Sequence, residues 1–135
     1  DSRLKTAGVA VDWRRTPGAL FAMVDQRRFM EALTELLDNA LESFAVHGVF
    51  NPILTVKVAR DNDQIVLTLR DNGPGFPASR LSNLFRPFQA VSGDGRLGIG
   101  LSMVRHIIRL HQGTVSGGNA PEGGAVLTIT LPLAV

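Results

Sequence analysis

The chain has 135 residues, 44% of them hydrophobic and 19% charged, which suits one domain with a single substantial core and argues against wholesale disorder. Its formal net charge is only +2, and its basic residues are scattered without interleaved aromatics, so a nucleic-acid surface is not supported. The absence of cysteine excludes disulfides and thiolate metal sites, and no apolar run approaches the length of a membrane span.

Residues 1–7 look like a linker remnant, and the domain is expected to run over 8–135. The start at Asp1 rather than Met leads us to expect a piece of a longer protein. Gly8 to Trp13 alternates as a short strand, Thr16-Pro17-Gly18 reads as a turn, and Ala19 to Val24 reads as a second strand. Asp25 then stands where an N-cap belongs.

From Phe29 to Val46 the apolar residues follow helical spacing. Phe29, Leu33, Leu36, Leu37, Ala40 and Phe44 share one arc, and His47-Gly48 supplies a C-terminal stop. Glu35, Asn39 and Glu42 run as a polar strip along the flank of that arc, beside the small residues Ala40 and Ser43, which leave room for a ligand to approach.

Ile53 to Ala59 and Gln64 to Arg70 alternate as strands around the turn Asp61-Asn62-Asp63, the clearest hairpin in the sequence. Asp71 to Pro77 is a glycine-proline loop, Ala78 to Leu84 a short helix, and Phe85 to Leu97 a mobile loop. Gly98 to His111 reads as a second long helix, with Leu101, Val104, Ile108 and His111 on one side. Thr114 to Ser116 begins a strand, and Gly117-Gly118-Asn119 with Pro121 to Gly124 forms a connection. Ala125 to Leu131 returns as a strand. The pattern predicts an α+β two-layer sandwich, with five or six mostly antiparallel strands in one mixed sheet and three helices on one face.

Two glycine-rich stretches carry chemistry. Asp71-Asn72-Gly73-Pro74-Gly75-Phe76 follows a strand directly. Its glycines let the backbone approach a ligand, and its aspartate can accept from an exocyclic amine such as that of adenine; taken by itself, the stretch is better accounted for by turn propensity alone. Gly95-Arg96-Leu97-Gly98-Ile99-Gly100-Leu101 opens a helix, whose unpaired N–H groups and macrodipole favour a phosphate. It is neither a Walker loop nor a dinucleotide fingerprint. Between them, Leu84-Phe85-Arg86-Pro87-Phe88 sets two aromatics three apart.

The order of these pieces is more specific than any one of them. An asparagine box around Asn39, a first glycine box from Asp71 to Phe76, a phenylalanine box from Leu84 to Phe88 and a second glycine box from Gly98 to Leu101 closely resemble the ATP-binding domain of sensor histidine kinases. That domain belongs to the superfamily shared with gyrase, chaperone and mismatch-repair ATPases, whose Bergerat-type fold the resemblance implies here from about Gly8 onward.

The resemblance implies that Asn39 coordinates Mg²⁺ bridging the triphosphate and that Asp71 accepts from the adenine amino group. Gly73 and Gly75 would let the loop pass the base, with Phe76 on the apolar side of the pocket. Gly98, Ile99, Gly100 and Leu101 would meet the phosphates, and Phe85 and Phe88 would tether a lid containing Arg96 and Leu97. Ser43 and Thr128 complete the expected nucleotide contacts, and Glu35 and Asn39 the catalytic pair.

It also implies the partners ATP and ADP, a histidine-bearing helical dimerisation domain of the same parent protein and, indirectly, a response regulator. The implied location is cytoplasmic, including the cytoplasmic portion of a membrane-bound sensor, with no membrane contact by this domain.

The sequence departs from the common kinase pattern at Glu35, where many relatives carry a second asparagine. Gyrase and chaperone ATPases use a glutamate there to activate water. Glu42 stands where many relatives have a phosphate-contacting lysine, with Arg96 as a candidate replacement. Neither His47, His106 nor His111 is followed by the acidic residue typical of a phosphoacceptor, so that histidine is expected elsewhere. An ATP-hydrolysing conformational module and a catalytically silent nucleotide-binding regulatory domain are the alternative readings.

Overall fold

The computed structural model describes residues 8–15, 21–86 and 100–134. Among them five strands form one sheet: β1 (Ala10–Arg15), β2 (Ile53–Asp61), β3 (Gln64–Asp71), β4 (Thr114–Asn119) and β5 (Ala125–Pro132). Three helices accompany them: α1 (Gln26–His47), α2 (Ala78–Leu81) and α3 (Gly100–Leu110). The strand order is β1-β2-β3-β5-β4, with β1 and β2 parallel and every other neighbour pair antiparallel. The expected two-layer sandwich is therefore present, with five strands.

Helix α1 starts where Asp25 caps it, its carboxylate accepting from the Arg28 N–H at 3.2 Å. It stops at Gly48, whose left-handed φ of 58° needs no β-carbon. Ala32, Leu36, Ala40 and Phe44 are its buried residues; the sequence stripe included all of them except Ala32. Helix α3 contributes Leu101, Val104, Ile107 and Ile108. Both helices lie on one face of the sheet, where Leu36, Val104 and Ile108 meet Leu127, Ile129 and Leu131 of β5 in the main core. Their far ends are joined through His111. Its Nδ1 lies 2.8 Å from the Ile107 carbonyl, which can only accept, so that nitrogen carries the proton and Nε2 accepts from the Asp25 N–H at 2.8 Å.

A second cluster, Val9, Ala40, Phe44, Leu54 and Val56, packs the other half of α1 on β1 and β2. The hairpin of β2 and β3 turns at Asn62, whose φ of 54° is the left-handed conformation asparagine tolerates.

Two element assignments need correction. The apolar run Ala19 to Val24 is not a strand over its described part, residues 21–24. Its backbone makes a bond from Ala134 N–H to Phe21 O but no ladder, and Phe21 and Met23 lie exposed, so the apolar content does not mark a buried strand. Conversely, Gly117-Gly118-Asn119 is strand, not connection: Gly117 pairs with Leu127 and Asn119 with Ala125. Gly117 is small because Leu84 packs over it; a β-carbon there would lie 2.8 Å from Leu84 Cδ1. The expected linker at 1–7 and most of the expected lid, residues 87–97, lie outside the described residues.

Candidate nucleotide site

Asp71 ends β3 with its side chain on the helix-covered face and is 8% exposed. Its Oδ1 accepts from Gly73 N–H at 2.9 Å and from Ala125 N–H at 3.1 Å. Oδ2 carries neither of these bonds. Turn chemistry accounts for part of this loop: the bond from Gly73 N–H to Asp71 Oδ1 is an Asx turn, and Gly75 has a φ of 83°. Asn72 ties the loop to the segment before β2 and its first residue, its Oδ1 accepting from Ile53 N–H at 2.8 Å and its Nδ2 donating to Asn51 O at 3.0 Å. Asp71 instead aims its carboxylate inward, under the helices.

Ser43, on α1, approaches this loop: a β-carbon on Gly73 would lie 3.3 Å from Asp71 Oδ1 and 3.7 Å from Ser43 Oγ. At the other end of the polar strip Glu35 lies against the first residue of α3, where a β-carbon on Gly100 would come within 1.8 Å of Glu35 Oε1. Residues 35, 39 and 43 are successive turns of one helix face, so Asn39 stands between these two contacts. At 1.5 Å per residue, Glu35 and Ser43 are about 12 Å apart along the axis. One helix face thus runs from the start of α3 to the Asp71 loop, with Asn39, half-buried, midway.

Phe76 is half-buried against the main core, and the Arg80 guanidinium lies 5.7 Å from its ring centroid. Phe85 also packs on that core, and the side chain of Leu101 is buried in it. Phe88, Arg96, Leu97, Gly98 and Ile99 lie outside the described residues.

Thr128 does not join the site. Leu127 and Ile129 face the helices, so by strand alternation Thr128 points to the opposite face, where it pairs with Thr68 and Ser116. Its polar side chain between two apolar neighbours marks a half-solvated sheet face rather than a ligand contact.

Two residues of the site were missed in the sequence. Gly124, with φ of 93°, lets β5 begin directly against β3; a β-carbon there would lie 1.9 Å from the Asp71 carbonyl oxygen. Asn119 accepts from Phe76 N–H at 2.8 Å and donates to Phe76 O at 3.0 Å. The Gly123-Gly124 pair ahead of an apolar strand was a visible signal for the first; nothing in the sequence pattern singled out the second.

The family described as "Histidine kinase-, DNA gyrase B-, and HSP90-like ATPase" matches residues 24–135, a span that includes α1, the Asp71 loop and α3. The chain belongs to this ATPase family. Among curated relatives it is 38% identical over 137 residues to the signal transduction histidine-protein kinase AfsQ2 of Streptomyces coelicolor, covering 98% of this chain and 24% of AfsQ2. It is 33% identical to the C4-dicarboxylate transport sensor protein DctS of Rhodobacter capsulatus, over 88% of this chain and 18% of DctS. The chain therefore spans a quarter or less of these relatives.

The fold is similar to that of the catalytic domain of histidine kinase ThkA, with a TM-score of 0.83 and 22% identity, covering 97% of this chain and 83% of that one. It also resembles ThkA in its complex with the response regulator protein TrrA, with a TM-score of 0.78 and 22% identity over 98% of this chain and 36% of that one.

Within the family the residues fit a nucleotide and its metal in different ways. Among the described residues no three His, Cys, Asp or Glu side chains cluster as a metal cage. A lone amide oxygen such as that of Asn39 suits Mg²⁺, which keeps most of its shell in water and phosphate oxygens. Among the described residues no helix is long and apolar enough to cross a membrane.

Proposed function

We propose that this chain is the catalytic domain of a sensor histidine kinase, binding Mg²⁺-ATP along α1 and passing the γ-phosphate to a histidine on a helical dimerisation domain of its parent protein. The observation that carries the reading is the strip Glu35, Asn39, Ser43, which links a buried, oriented carboxylate at one end to a glycine-opened helix start at the other. In this reading Asp71 accepts from the adenine amino group through Oδ2, and Gly73, Gly75 and Phe76 line the base. Asn39 holds the metal, and Gly100 with Leu101 presents backbone N–H groups toward the phosphates.

Bound Mg²⁺ supplies charge neutralisation across the phosphates. The protein's own share is positioning: the rigid α1 face holds base and phosphates in fixed register, which is most of what phosphoryl transfer asks of an enzyme. The histidine kinase names of the relatives support this reading, as does a response regulator for the next acceptor. A cytoplasmic placement follows from it, since ATP and response regulators are found there.

One observation favours a second reading. Glu35 sits at the phosphate end, where a carboxylate could take a proton from water and drive hydrolysis. Mixing this domain and labelled ATP with the adjacent segment of its parent protein separates the two. Acid-labile label on a histidine is the expected result. Steady phosphate release without label, abolished by Glu35→Gln, would replace the kinase by a hydrolase, and neither signal would leave a silent nucleotide-binding module.

A further inference from the structure

Asn119 is the last residue of β4 and belongs to none of the four boxes. Its amide makes a reciprocal pair with the backbone of one residue: Phe76 N–H donates to Oδ1 at 2.8 Å, and Nδ2 donates to Phe76 O at 3.0 Å. Because one partner is an N–H and the other a carbonyl, the orientation of the amide is fixed by chemistry. Gly75, with φ of 83°, brings the loop close enough that a β-carbon there would lie 2.6 Å from Asn119 Oδ1.

The bond network around this contact is closed. Asn119 pairs with Ala125 across β4 and β5, and Ala125 N–H donates to the same Asp71 Oδ1 that accepts from Gly73 N–H. The hairpin end is itself tied by Ala120 N–H to Gly124 O and by Gly123 N–H to Ala120 O, both at 2.9 Å. The near end of the loop is thus fixed by Asp71 and the far end by Asn119, and both are referred to the end of the same hairpin.

We infer that Asn119 is a positioning residue for base recognition. It holds residues 73–76 in register with the Asp71 carboxylate, so that Oδ2 and the Phe76 ring meet the base as one rigid unit. The inference rests on the adenine reading of Asp71 given above. Loop ordering lost with Asn119 would have to be restored at the moment of binding, at a cost to affinity and to discrimination between bases.

The test compares ADP with inosine diphosphate, which carries a carbonyl in place of the adenine amino group, by calorimetry on the folded domain. Asn119→Ala should weaken ADP binding about tenfold and inosine diphosphate binding less than about threefold, so that the preference for ADP shrinks. A residue that only braces the hairpin would lower both affinities together, and an unchanged preference overturns the inference. Should Asn119→Ala fail to fold, Asn119→Asp decides: it keeps the acceptor for Phe76 N–H, loses the donor to Phe76 O, and is expected to shrink the same preference. Asp71→Asn, run in parallel, reports on the base assignment separately. A preference that survives it refutes the adenine reading and this inference with it; one that disappears in Asp71→Asn and persists in both Asn119 variants refutes the inference alone.

Discussion

At the Asp71 end of the α1 strip the loop is held by side chains at both ends, by Asn72 and Asp71 on one side and Asn119 on the other. At the Gly100 end the carboxylate of Glu35 is laid against the start of a helix. The first arrangement is rigid and short-ranged, suited to telling one base from another by hydrogen bonds. The second depends on helix-end charge, which attracts any anion and discriminates little. In the proposed function specificity and charge recognition are separated along one helix, and substitutions at the two ends should then fail in different ways.

The largest effect is expected at the rigid end. Gly124→Ala places a β-carbon 1.9 Å from the Asp71 carbonyl oxygen, a backbone atom that cannot swing aside, at a φ of 93° that L-residues rarely adopt. Overpacking and backbone strain together should cost about 3 kcal/mol, seen as a drop in Tm of roughly 10 °C. ADP binding should fall with it, because separating β3 from β5 also removes the Ala125 bond to Asp71. A wild-type melt in this variant would show that the close approach is not required.

The contrast between the ends also explains what the sequence made legible. Helical spacing from Phe29 to Phe44 gave α1 and most of its buried face, because burial along an amphipathic helix is a local property of the chain. Alternation gave β2 and β3 for the same reason. The run Ala19 to Val24 misled because apolar content signals burial only when a partner surface is present, and among the described residues Phe21 and Met23 lie exposed. Asn119 escaped notice because its partner, Phe76, is 43 residues away, and no local pattern encodes such a bond. Thr128 was misplaced by resemblance, although its position between Leu127 and Ile129 already put it on the other face. Glu35 was recognised as a departure, while its contact with Gly100 depends on how α1 and α3 pack.

Midway along the strip, Asn39→Ala should leave the fold intact, since Asn39 belongs to neither core cluster. The expected loss is the Mg²⁺-dependent part of ATP-analogue binding, about tenfold or 1.4 kcal/mol, with binding in the absence of metal unchanged. Titrations of the variant with and without Mg²⁺ measure this directly. Persistent metal dependence would move the ligand role to another residue and leave the Asp71 end untouched.

The smallest effect is expected at the Gly100 end, where it takes a double-mutant cycle to see it. Gly100→Ala alone sets a β-carbon 1.8 Å from Glu35 Oε1, 2.5 Å from Cδ and 2.9 Å from Cγ, but all three belong to a side chain rather than to backbone. The strain is therefore expected to be about 1 kcal/mol, partly offset by the better helix propensity of alanine over glycine. In a Glu35→Ala background the clash is gone and only the propensity gain remains, so Gly100→Ala should become neutral or slightly stabilising. The coupling between the two sites, about 1 kcal/mol by denaturant melts, measures how firmly the carboxylate is seated on the helix start. Additive single-mutant effects would mean that Glu35 leaves that position freely. The two ends would then differ even more sharply, with one fixed before any nucleotide arrives and the other without a resident anion.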